Sequence, residues 1–151
     1  MSKSAIKGYE TVNIEGRCYA RILRSSARTD NGVDFLTPDD SSFQIALMEH
    51  ADGELILPHI HNPVVRTIKH TSEVLIVRKG ALRVDFYRED HGYLESRILG
   101  PGDIILLSEG GHGFKCLEET DMVEVKQGPY AGTNDKMRFD PVPEEQVIIK
   151  E

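Results

Sequence analysis

The chain has 151 residues, of which 39% are hydrophobic and 28% charged, as is typical of a globular protein with one core. The formal net charge of −7 argues against binding to the phosphate backbone of nucleic acids, although a local basic patch could still bind one small anion. No apolar run is long enough to span a membrane, and the first residues lack the apolar core of a secretory signal. Two cysteines without CxxC spacing fit a reducing compartment. We therefore expect a single-domain cytoplasmic protein that binds neither nucleic acid nor membrane.

Taken in chain order, the sequence predicts many short strands and no amphipathic helix of three turns. Residues 1–16 are a weakly patterned lead-in with room for one edge strand. Strands separated by turns rich in Gly, Pro and Asp are predicted over residues 18–23, 43–50, 54–61, 73–79, 81–87, 93–99, 104–107, 112–117 and 122–127, with residues 146–150 as a candidate edge strand. This pattern is typical of an all-β sandwich or barrel.

Residues 57–61, Leu-Pro-His-Ile-His, place two imidazoles two residues apart in a predicted strand. Alternate strand residues share a face, so His59 and His61 would point the same way and supply two ligands for a divalent transition metal. Taken alone, such a pair is more often part of a solvated strand face. Three further residues lie at or near predicted strand starts and could complete a metal site at one end of a barrel, namely Glu73, His112 and His70.

Two further motifs follow. Glu73 is followed by a glycine turn at Gly80, and Gly-Pro-Gly-Asp at residues 100–103 is followed by His112. With the two histidines above, this pattern over residues 43–127 resembles the two motifs of the cupin superfamily. The resemblance implies one cupin domain, a double-stranded β-helix (jelly-roll) barrel, with residues 43–127 as its core and extensions at both ends. It also implies one divalent transition metal, Zn, Fe, Mn or Ni, with the ligands His59, His61, Glu73 and His112.

One spacing departs from the cupin pattern, because eleven residues separate His61 from Glu73 where three or four are usual. An inserted loop that bulges outward would still allow the four ligands to converge. Alternatively, His70 replaces Glu73, or three histidines form the site alone.

A closer similarity rests on residues 125–130, Val-Lys-Gln-Gly-Pro-Tyr, with Asp135 and Lys136 just after them, combined with Leu-Pro-His-Ile-His at residues 57–61 and Val-Asp-Phe-Tyr at residues 84–87. These residues resemble the WbuC-type cupin metalloproteins, which are associated with surface-polysaccharide (O-antigen) gene sets. The resemblance implies a small polar, carbohydrate-type substrate but no defined reaction, and homodimers are common among cupins. Our hypothesis is a metal-dependent isomerase or epimerase that forms a homodimer. Two alternatives are a non-catalytic cupin that binds or senses a small ligand, and a metal-free sugar-nucleotide ketoisomerase that uses histidines as acid and base.

Further side chains are candidates for the wall of a substrate pocket. An arginine can bind a carboxylate or phosphate through two hydrogen bonds, a Glu–Lys pair on one strand face can move protons, and a tyrosine can offer a polar group. Each also has an ordinary structural interpretation as a surface charge, a cross-face ion pair or a half-buried ring. The candidates are Arg66, His70, Glu124, Lys126, Tyr87 and Tyr130.

Overall fold

The computed structural model describes residues 6–151, which form an all-β protein with short 3₁₀ turns near its end. The strands are β1 (Tyr9–Ile14), β2 (Arg17–Leu23), β3 (Val33–Phe35), β4 (Ala46–Met48), β5 (Glu73–Lys79), β6 (Leu82–Tyr87), β7 (Tyr93–Leu99), β8 (Ile104–Leu107), β9 (Gly111–Cys116) and β10 (Asp121–Lys126). Over the same residues, no helix has the length and apolarity that a membrane crossing needs.

The strands form two main sheets and one small hairpin, and every pair between named strands is antiparallel. The larger sheet has five strands in the order β1-β2-β8-β5-β10, and the smaller has three in the order β7-β6-β9, while β3 and β4 form a separate two-stranded sheet. Side chains from both main sheets form one apolar core, which includes Ile22, Leu75, Phe86 and Ile105. The two sheets are therefore packed over a shared interior.

Strand β6 is buried along its whole length, although its sequence alternates apolar and charged residues. Leu82, Val84 and Phe86 belong to the core cluster. On the other face, Arg83 donates two hydrogen bonds to Asp85, at 2.8 and 3.0 Å, and Asp85 accepts another from the Ser96 hydroxyl. Buried charges that are paired and hydrogen-bonded in this way avoid most of the cost of losing water.

The predicted all-β class is confirmed, and most predicted strands appear within one residue of their expected bounds. The strand expected over residues 54–61 is wrong, since these residues have no regular structure, and the strand expected over 43–50 is reduced to β4. Pro58 lacks the backbone N–H that a ladder position donates, which disfavours pairing there. The expected edge strand near the end is a single bridge from Ser96 to Ile149.

Residues 49–72, here called the connecting segment, run from β4 to β5 without regular secondary structure. The segment exposes several large apolar side chains, and Ile60 is 92% exposed. Strands β9 and β10 each have a strand neighbour on one side only within residues 6–151. The sheets are compatible with a jelly roll, but the described residues do not form a closed barrel.

Candidate functional site

Glu73 and His112 meet at one end of the two main sheets. Glu73 is the first residue of β5 in the larger sheet, and His112 lies near the start of β9 in the smaller one. The His112 Nε2–H donates a hydrogen bond of 3.1 Å to Glu73 Oε2. The Glu73 side chain is 10% exposed and that of His112 is 27% exposed. The pair therefore links the sheets at a position that a small solvent molecule or ligand can still reach from the imidazole side.

The surroundings of Glu73 favour its ionised form. The hydrogen bond from His112 lowers the pKa of Glu73 below its usual value, and the positive charges of Lys136 and Lys126 lower it further. Burial acts in the opposite direction, because it penalises a charged carboxylate. At neutral pH, Glu73 is thus an acceptor, and the imidazole nitrogen that faces it carries the hydrogen.

A cavity of about 480 Å³ opens beside this pair. Its wall mixes both signs of charge with one aromatic ring, and it includes Lys69, His70, Glu109, Asp135, Lys136 and Phe139. Lys126, which lies opposite Glu73 in the β5–β10 register, forms ion pairs of 3.5 Å with Asp135 and 3.7 Å with Glu124. This polar composition suits a small polar molecule better than an apolar one.

His59 and His61 lie elsewhere, on the exposed connecting segment. Their ring centroids are 5.1 Å apart, and the His59 Nδ1–H donates a hydrogen bond of 3.2 Å to the carbonyl of Leu57. Across residues 6–151, no group of three or more His, Cys, Asp or Glu side chains is placed to bind one metal ion. The structure thus contains two pairs of the expected ligands but does not bring the four together, and a metal bound by them stays a prediction.

The other pocket candidates fall in three environments. His70 lines the cavity, and Glu124 and Lys126 are paired beside it, with the Lys126 ammonium 5.7 Å from the ring centroid of Tyr130. Arg66 is exposed on the connecting segment. Tyr87 is buried, and its hydroxyl accepts a hydrogen bond from the Val142 backbone N–H. Burial raises the pKa of Tyr87, so its hydroxyl keeps its hydrogen at neutral pH, and its contact with Val142 gives it a structural role.

The cavity residues that were not among the sequence candidates include Asp135, Lys136 and Phe139. They lie after β10 in an irregular, charged part of the chain, where no alternation indicates a direction for a side chain. Asp135 and Lys136 are part of the family resemblance but carry no motif of their own. The only signal for them is their position after the Gly-Pro-Tyr turn at residues 128–130.

Comparison of the chain with protein-family models, with curated proteins and with solved structures finds no match. The cupin resemblance consequently rests on the motifs alone, and membership of that superfamily stays a prediction.

Proposed function

We propose that the cavity beside Glu73 and His112 binds a small polar, carbohydrate-type molecule, and that these two residues act on it as an acid–base pair. The observation that carries this proposal is the contact between Glu73 and His112, a buried carboxylate and a half-buried imidazole from different sheets. Imidazole and carboxylate are the commonest groups for general acid–base catalysis. The reaction class that we propose is isomerisation or epimerisation of a sugar derivative, on a cupin-type scaffold.

The proposed reaction begins at a carbon next to a carbonyl group. The Glu73 carboxylate removes the proton from that carbon, which also bears a hydroxyl group, and His112 gives its Nε2 proton to the carbonyl oxygen, which produces a neutral enediol. His112 then takes the proton of the second enediol hydroxyl, and Glu73 returns its proton to the former carbonyl carbon. The carbonyl group has moved to the adjacent carbon, and both residues regain their starting protonation states. The positive charges of Lys126 and Lys136 act on Glu73 and favour negative charge at that end of the site.

The same geometry supplies a way to strengthen Glu73 as a base. In the free protein, the hydrogen bond from His112 lowers the pKa of Glu73, whereas burial raises it. When a substrate carbonyl oxygen accepts the His112 hydrogen, Glu73 loses this hydrogen bond, while the effect of burial on its pKa remains. The carboxylate thereby becomes more basic when substrate is bound.

A metal centre of His59, His61, Glu73 and His112 is the alternative proposal. Its support is that the four residues form two contacting pairs of suitable ligand types. It requires the connecting segment to move until both pairs reach one ion, and no step of the reaction above depends on it.

The test is proton exchange in D₂O with a panel of sugar phosphates and nucleotide sugars, followed by NMR. Wild-type protein should exchange one carbon-bound proton of its substrate, and Glu73→Gln should lower that rate about 100-fold or more. Glu119→Gln, which changes an exposed carboxylate that pairs with Lys79, should leave the rate unchanged.

Two results would redirect the proposal. A compound that stabilises the fold without any exchange would identify a binding protein rather than an enzyme. Stoichiometric metal in protein purified without an affinity tag, lost in both His59→Ala and His61→Ala, would support the metal centre instead.

A further inference from the structure

A second cavity of about 400 Å³ lies against β2 and β8, and its wall is rich in hydrogen-bond donors. Two cations, Arg21 and Lys69, line it. Hydroxyl groups from three separate parts of the chain also line it, on Thr37, Ser41, Ser42, Thr67, Ser72 and Ser108, together with the His70 ring. The whole protein has a net charge of −7, so a cavity wall with two cations and several hydroxyl donors differs from the average charge of the chain.

Arg21 has unused binding capacity. Its Nε is buried and has no hydrogen-bond partner, and its Nη1–H donates to the Cys18 sulfur at 2.7 Å. Burial raises the pKa of the Cys18 thiol, so the sulfur is uncharged at neutral pH and does not neutralise the guanidinium. Neither Arg21 nor Lys69 forms an ion pair within residues 6–151. Arg21 as a whole is partly exposed, but its buried Nε has no partner, and an anionic ligand that accepts a hydrogen bond from it would remove the cost of that unsatisfied donor.

One carboxylate, Glu109, also lines the cavity and acts against an anion there. It is exposed and forms no ion pair in the described part of the chain, so solvent weakens its field more than that of the buried Arg21 nitrogen. The balance of charge at the buried end of the cavity is therefore positive.

We propose that this cavity binds the phosphate group of a small molecule. A phosphate has several acceptor oxygens arranged around one centre, which matches donors that approach from β2, from residues 41–42 and from residues 67–72. A planar carboxylate has fewer acceptor positions and would leave part of this set unused.

The position of the cavity extends the proposal to a substrate class. Lys69, His70, Ser108 and Glu109 line both this cavity and the one beside Glu73 and His112. A phosphorylated sugar held by Arg21 can therefore direct its uncharged part toward the acid–base pair. This extension rests on the proposed function, whereas the phosphate site itself does not.

The experiment is isothermal titration of the whole protein with inorganic phosphate at constant ionic strength, with chloride as the balancing anion. Wild-type protein should bind phosphate with a Kd below about 10 mM. Arg21→Gln and Lys69→Gln should each weaken binding, Arg21→Gln about tenfold or more, and Glu109→Gln should strengthen it about twofold to threefold. Lys79→Gln, with the same loss of charge at the far end of β5, is the matched control and should change binding little.

Several outcomes would overturn the site: no binding by folded wild-type protein, weakening by Lys79→Gln equal to that by Arg21→Gln, or no gain in Glu109→Gln. If Arg21→Gln does not fold, Lys69→Gln and Glu109→Gln still decide the question with opposite expected signs. Glu73→Gln should bind phosphate as wild-type protein does. Phosphate binding without proton exchange would thus retain this site and reject only the proposed reaction.

Discussion

Glu73 illustrates how a single carboxylate remains charged in a nearly buried position. Its charge is compensated by a hydrogen bond from His112 and by the positive charges of two lysines, Lys126 in β10 and Lys136 after it. Each of these groups comes from a different part of the chain, so the ionised state of Glu73 depends on correct packing of both main sheets. The protonation state of Glu73 is therefore an indicator of correct sheet packing as well as a property that the proposed reaction requires.

Replacing His112 by Ala should destabilise the protein by about 1–3 kcal/mol at pH 7, because a buried carboxylate then loses its hydrogen-bond donor. Urea unfolding of both proteins measures the difference. His70→Ala, which removes an exposed imidazole from the same cavity, is the control and should change stability by less than about 0.5 kcal/mol. Equal effects of the two substitutions would show that the contact contributes nothing to stability.

Gly80 is a position where the backbone admits no side chain. Its φ is +82°, and a Cβ there would lie 2.3 Å from the Glu119 carbonyl oxygen. We expect Gly80→Ala to cost more than about 2 kcal/mol, because it adds a clash with backbone to the strain of positive φ. Gly16 has a φ of +79° with no atom within 4 Å of such a Cβ, so Gly16→Ala should show the strain alone, about 1–2 kcal/mol. Thermal unfolding of the two variants gives the comparison, and equal losses would argue against the close approach at Gly80.

At the scale of elements, the strands from β5 to β10 follow closely from the sequence. Apolar residues between turns such as Gly-Pro-Gly-Asp, alternating in most of these strands and continuous in β8, predict each of them, and β7 matches its predicted bounds. The expected strand over residues 54–61 has the same alternation but does not form. Alternation indicates which side chains share a face, and it does not identify a neighbouring strand with which to pair. In β6, the charged alternate residues suggest a solvent-facing side, yet a later segment covers Arg83 and Asp85.

That later segment contains a 3₁₀ turn at Glu144–Gln146, which is held against β6 by charge. Arg83 donates hydrogen bonds of 2.9 and 3.1 Å to the two carboxylate oxygens of Glu144, and Lys115 forms an ion pair of 2.8 Å with it. Further along, Ile149 bridges to Ser96, and the Lys150 ammonium contacts Glu95 at 2.5 Å. These contacts attach residues 144–146 to the outer face of the three-stranded sheet and residues 148–150 to the edge of β7.

The attachment should weaken in acid. Hydrogen bonds from Arg83 and the nearby Lys115 lower the pKa of Glu144 to about 2, below its usual value of 4.5. Because the folded state holds the proton more weakly than the unfolded state, the stabilisation is complete above pH 4.5 and is lost as the pH falls toward 2. Glu144→Gln should therefore be less stable than wild type at pH 7, and the difference should narrow between pH 4.5 and 2.

Urea unfolding midpoints across this pH range measure the effect. Glu145→Gln, which changes an adjacent exposed carboxylate that has no ion pair in the described residues, is the control and should show no such narrowing. A constant difference between wild type and Glu144→Gln down to pH 2 would contradict the assignment.

At the scale of the whole molecule, the sequence predicts the all-β class and two of the residues that form the candidate site. Glu73 is the first residue of β5, and His112 lies near the start of β9. Both strands start at the same edge of the core, so the two side chains are in contact. The sequence could not predict that His59 and His61 would remain on an exposed segment, nor that Asp135 and Lys136 would complete the cavity wall. Both depend on irregular chain, whose path is set by contacts and not by periodicity.

Trypsin should cleave the exposed connecting segment before it cleaves the buried strands. Arg66 and Lys69 are exposed there in chain without regular structure, while Arg83 and Arg97 are 4% and 7% exposed within strands. Cleavage after residues 66 and 69 should precede cleavage after residues 83 and 97, because proteolysis requires locally open chain. Mass spectrometry of the early fragments measures the order, and simultaneous cleavage at all four sites would show that the segment is protected.

The place of β8 at the centre of the larger sheet has a consequence for how fast the protein can fold. Ile105 pairs with Ile22 on one side and with Leu75 on the other, so this strand joins parts of the chain that are distant in sequence. The β1–β2 hairpin is local, but it cannot dock until residues beyond 100 are in place. Pairings of such long range carry a large loop-closure entropy, and proteins that depend on them refold in milliseconds to seconds. Rapid dilution from denaturant should accordingly give slow recovery of the native signal, with the docking of β2 on β8 as the late event.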